Sequence, residues 1–111
     1  MDKLNILWTT DNKDTFFHML SMYTINSLSK GWWDQINIII WGASAKLVGN
    51  DSQIQTEILE MINKGITIEA CKDCCDYFHV SDQLTQMGIN VRYMGAPLTE
   101  YIKNNEHLIT L

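Results

Sequence analysis

The chain predicts an α/β fold, a mostly parallel sheet covered by helices on both faces. Three observations carry this. Strand-like and helix-like segments alternate about four times with short connections between them. Residues 36–41, INIIIW, are almost continuously apolar, as a central strand is when both of its faces are covered. Helix-start and helix-stop residues punctuate the alternation at the expected places.

Taken in order, residues 4–9 read as a short strand rich in large apolar side chains. Asp11, Asn12 and Asp14 then supply an N-cap and negative charge for the first turn of a helix. Phe16, Phe17, Leu20, Tyr23, Thr24 and Leu28 recur at three-to-four spacing, and Gly31 suits a left-handed C-terminal cap. After the central strand, residues 42–46 (GASAK) read as a small, permissive loop. A second helix spans about 51–64, with Ile54, Ile58, Met61 and Ile62 on one face and Gly65 as terminator. Residues 66–70 form a third strand. Residues 72–87 read as helix interrupted near His79, with Ser81 capping the second half and Gly88 ending it. A fourth strand covers 89–94, and Gly95-Ala96-Pro97 opens a fourth helix with Pro97 in its first turn. Residues 107–111 read as a fifth strand or an extended tail.

Composition narrows the function classes. One hundred and eleven residues make one domain, large enough to fold without staples. A hydrophobic fraction of 46% and a charged fraction of 19% fit a globular protein. The net charge of −5, with one Arg and seven scattered Lys, weighs against nucleic acid. No apolar run approaches the roughly 20 residues of a membrane span, and the N-terminus turns polar too soon for a secretory signal. Three cysteines without a signal argue against a disulfide framework, so a cytoplasmic protein with reduced thiols is expected.

Those three cysteines all lie in one stretch, EACKDCC, directly after the third strand. Parallel sheets place ligands at the carboxyl ends of their strands, and Cys71 stands at one. Helix-start amides, Lys72 and Lys46 are expected to favour its thiolate. Cys74 follows after two intervening residues, within reach across the first helical turn, as a resolving sulfur would. The bland reading, small apolar residues in a core, is most natural for Cys75, on one stripe with Phe78. A zinc site from the three cysteines and His79 lacks the second ligand pair that such sites use, so no metal is expected. Gly42, Ser44 and Lys46 offer a permissive backbone, a hydroxyl and a cation for an anion or oxyanion, without the spacing of a phosphate-binding loop. His18 and His107 read as structural, and Trp32-Trp33 as core or subunit contact.

Over nearly its whole length, and most strongly from Ile36 onward, the chain resembles the DsrE/DsrF-like family of small sulfur-metabolism proteins. The marks are the strand-end Cys71, the Gly88-Ile89 turn, Tyr93-Met94-Gly95 and Pro97-Leu98-Thr99. The resemblance implies a three-layer α/β/α fold with a parallel five-stranded sheet and homo- or hetero-oligomers, commonly trimers or hexamers. It also implies that Cys71 accepts sulfane sulfur as a persulfide and hands it on. The expected function is therefore a sulfur carrier or sulfurtransferase without a cofactor, whose partners are sulfur-donor and sulfur-acceptor proteins or small thiols. Cys74 is not a general feature of that family; on local chemistry alone it is expected to attack the loaded Cys71 and expel sulfide. The alternative is a non-enzymatic oligomer that binds a small ligand or metal in the same cleft.

Overall fold

A computed structural model describes residues 2–111. Five parallel strands form one sheet in the order β4-β3-β2-β1-β5. They are β1 (Lys3–Trp8), β2 (Gln35–Ile40), β3 (Thr67–Cys71), β4 (Asn90–Arg92) and β5 (His107–Thr110). The fifth strand is real and pairs in register with β1, Leu4 opposite His107 through Leu7 opposite Thr110. Central β2 buries Ile36 through Ile40, as its unbroken apolar run requires.

The first helical rod starts with α1 (Lys13–Thr15), whose cap Asn12 accepts the Thr15 N–H at 2.8 Å. It continues through a π-wound stretch, Phe16–Ser21, into α2 (Met22–Ser29). This winding departs from the regular helix that the spacing predicts. Wider turns rotate the buried face. Phe16, Leu20, Ser21, Thr24 and Ser27 point inward, and Phe17, Tyr23 and Leu28 remain half-buried.

A second departure follows β2. Residues 43–50 are not loop but a helix, α3 (Ala43–Asn50), which starts directly after Gly42. Next come α4 (Ser52–Asn63), α5 (Lys72–Tyr77), α6 (Ser81–Gln86) and α7 (Gly95–Lys103). Asp51 caps α4 by accepting from the Gln53 and Ile54 amides. Ser81 does not cap α6. It is that helix's first residue, and its hydroxyl donates back to Asp76 on α5.

The two faces of the sheet are covered unequally. Leu4, Ile6, Trp8, Ile36, Ile38, Ile40, Ile68 and Ala70 pack against Phe16 and Leu20 of the π-wound stretch and Val48, Ile54, Ile58, Cys75 and Leu84 of α3 to α6. The opposite face carries Leu7, Ile39, Trp41 and Cys71, and only α7 lies on it, through Leu98 and Tyr101 with Met94 just before. Three layers are present, but one outer layer is a single helix of nine residues.

Candidate functional site at the β3–β4 crevice

The unequal layering fixes where the sheet has its topological switch point. After β1, β2 and β3 the chain enters helices on the crowded face, and after β4 it enters α7 on the other. Neighbours β3 and β4 thus send their connections to opposite sides. Open α/β sheets bind ligands at such a switch point, outside the carboxyl ends of the strands. Cys71 is the last residue of β3, paired in register with Arg92, the last residue of β4. The sequence-predicted strand-end position is therefore met.

Its environment is not the expected one. Cys71 is only 5% exposed, because Ile39, Met94 and Leu98 close over it. Burial pushes its thiol above the ordinary range. The N–H groups of Cys74 and Asp73 pull it down less strongly, and the neighbouring Cys74 side chain adds to the rise. The expectation of an easily ionised Cys71 finds no support in this environment, where low dielectric outweighs the helix start. Lys72 does not reverse this: its ammonium holds Asp76 at 2.9 Å and lies 5.8 Å from the Tyr93 ring centre.

Cys74 is half-buried and lies against Cys71. Its Sγ accepts the backbone N–H of Gly42 at 3.3 Å. Gly42 can present that amide because its φ is +71°, a left-handed value that glycine adopts without strain. A strand-end amide of β2 and the first turn of α5 thus meet at one sulfur. Cys75 is fully buried and burial pushes its thiol up to about 12, so the core reading fits it. His79 is exposed, and among the described residues no cluster of three or more His, Cys, Asp or Glu is placed to hold a metal. The zinc reading has no geometric support.

Gly42, Ser44 and Lys46 do not converge on an anion. Because α3 begins at Ala43, its first turn points Ser44 into the core. The Ser44 hydroxyl donates to the Trp8 carbonyl at 2.6 Å and accepts the Trp41 N–H at 3.1 Å, stapling the ends of β1 and β2. Lys46 points outward beside Asp11, Asn50 and Asp51, in a hollow of about 260 Å³ that no cysteine lines. Of the three, only Gly42 reaches the thiols.

A polar network on the α7 face escaped the sequence reading. Buried Glu69 accepts from Tyr101 at 2.7 Å, from Asn37 at 3.0 Å and from Arg92. Asn37 also donates to Asn5 at 3.2 Å. Burial alone would raise the Glu69 carboxyl, but the hydrogen bonds from Tyr101, Asn37 and Arg92 together hold it below its ordinary value. A cleft of about 550 Å³ opens beside the network, lined by Lys3, Asn37, Thr67, Glu69, Asn90 and Tyr101 among others, and holds none of the cysteines. The available signal was polar Asn5, Asn37 and Glu69 at successive strand positions that should face a covering layer.

Comparison with solved structures decides the relationship. The conserved protein of unknown function BT1422 from Bacteroides thetaiotaomicron is 65% identical, over 99% of this chain and 95% of that one, with a TM-score of 0.97. The chain belongs to the BT1422 family. MTH1491 from Methanobacterium thermoautotrophicum, also described as of unknown function, superposes along both full lengths with a TM-score of 0.81 at 13% identity. The ychN protein of E. coli does so with a TM-score of 0.72 at 16% identity. These two show that the BT1422 family shares their fold. No protein-family model matches the chain, and no curated protein does. Among the described residues no helix is long and apolar enough to cross a membrane.

Proposed function

We propose that this protein carries sulfane sulfur on the Cys71–Cys74 pair. The observation that carries the reading is the placement of two adjoining free thiols at the carboxyl end of β3, at the switch point of the sheet. A thiolate there displaces a thiol from a donor persulfide and holds the outer sulfur as a protein persulfide. A thiol acceptor then removes it, or the second cysteine expels it as sulfide and leaves a disulfide for a reductant to reset. The resemblance to the DsrE/DsrF-like proteins supports the same chemistry, in a cytoplasmic setting and with thiol partners.

Mass spectrometry after incubation with glutathione persulfide tests this. One added sulfur, or the disulfide that its loss as sulfide leaves behind, is expected on the wild type, and neither on the Cys71→Ala/Cys74→Ser double variant. Unchanged mass in the wild type rejects the relay. The same resemblance supports a homo-oligomer, trimeric or hexameric. Light scattering giving the 12.8 kDa monomer mass at micromolar concentration rejects that part.

A further inference from the structure

The relay needs one sulfur to meet the donor and another to stand behind it, and the two cysteines differ in the properties that decide this. Cys74 is only partly buried on the first turn of α5, whereas Cys71 lies 5% exposed beneath Met94 and Leu98. A donor persulfide must present its outer sulfur in line with the attacking atom, which demands access from outside. Only Cys74 has it. The Gly42 amide at 3.3 Å from the Cys74 sulfur supplies the hydrogen bond that a thiolate needs as it forms.

We propose that Cys74 takes sulfur from the donor and that Cys71 is the resolving thiol, which reverses the order the sequence suggests. The inference rests on the relay reading and assigns roles within it. In the first step the Cys74 thiolate attacks the outer sulfur of R–S–SH. The Cys74 S–S bond forms, the donor S–S bond breaks, and R–S⁻ departs with the electron pair and takes up a proton. In the second step Cys71 attacks the inner sulfur of the Cys74 persulfide. A Cys71–Cys74 disulfide forms, and the outer sulfur leaves with the electron pair and the Cys71 proton as hydrogen sulfide. The dithiol is oxidised by two electrons and the sulfane sulfur is reduced by two, so no outside oxidant is required. A thiol reductant restores the pair.

Burial of Cys71 has a purpose in this order. Its cover by Met94 and Leu98 restrains the approach to the persulfide, so resolution is slow and the loaded Cys74 persists long enough to meet a thiol acceptor. Gly42 stays on the inner sulfur throughout, holding the persulfide with its outer atom toward solvent.

Trypsin separates the two sites, because cleavage after Lys72 puts Cys71 on peptide 65–72 and Cys74 on peptide 73–92. The protein is treated with glutathione persulfide, freed of donor, digested and mapped by mass spectrometry, with fragment ions distinguishing Cys74 from Cys75. Wild type is expected to show a cross-link between the two peptides, Cys71→Ala a stable persulfide on Cys74, and Cys74→Ser neither product. Brief alkylation of untreated wild type with iodoacetamide is expected to label peptide 73–92 first, and it needs no variant to fold. Persulfide on peptide 65–72 in Cys74→Ser, or first labelling of that peptide, overturns the assignment while leaving the relay standing. Neither persulfide nor cross-link on wild type overturns both.

Discussion

Glu69 is the residue on which the α7 face turns. Its carboxylate receives Tyr101, Asn37 and Arg92, so β2, β3, β4 and α7 meet on two oxygens. Replacing it with Gln keeps the shape but turns one acceptor into a donor facing Arg92. A loss of about 1–3 kcal/mol is expected in urea unfolding, discounted from a fully buried pair because the Arg92 side chain is 42% exposed. The sign with pH follows from the direction of the shift. The folded carboxyl titrates below its ordinary 4.5, so its contribution is complete above that value and is lost as pH falls through the folded value. Glu69→Gln should flatten the acid side of the stability curve, and an unchanged acid limb would remove Glu69 as its source. The location of Cys71 was legible because strand-end position depends only on alternation. Its burial was not legible, because the residues that cover it, Met94 and Leu98, come from an element on the far side of β4.

Helix α3 shows why one element was missed. Its sequence, ASAKLVGN, has no wide apolar stripe, so periodicity has little to report. The small residues serve close approach instead. A Cβ built on Gly49 would lie 2.2 Å from Val80 Cγ1 and 2.6 Å from Val80 Cβ, so the helix backbone rests directly on the α5–α6 junction. Gly49→Ala in an exposed helix would gain about 1 kcal/mol from propensity. Here it should destabilise by about 1–3 kcal/mol, because Val80 is buried and cannot yield without moving its turn. Calorimetry checks the sign, and Val80→Ala in the same chain should recover part of the loss. The first helical rod and α4 were legible because apolar residues recur at helical spacing ahead of Gly31 and Gly65, and α7 because Pro97 marks its first turn. The π-wound turn left no sequence signal, because Phe16 and Leu20 satisfy ordinary helical spacing until Ser21 is buried beside them.

At the scale of the molecule, the layers differ in how firmly they are held. Helix α4 buries Ile54, Ile58 and Met61, whereas α7 has no fully buried residue and leaves Ile102 56% exposed. β4 beside it is a three-residue edge strand. Local opening costs least where the fewest apolar contacts are lost, so α7 and β4 should open before the rest of the sheet. Native-state hydrogen exchange is expected to show amides of Gly95–Lys103 exchanging well ahead of those in Ser52–Asn63 and in β2. Glu69→Gln should widen the gap by freeing Tyr101, while Gly49→Ala, acting on the other layer, should not. Met94 and Leu98 form the roof over Cys71, so the same opening exposes the resolving thiol and couples its reactivity to the thin layer. Alkylation of Cys71 should then follow the exchange of α7 amides from variant to variant. Equal protection of α7 and α4 at low protein concentration would show that the thin layer is as firm as the thick one, and the coupling would fail with it.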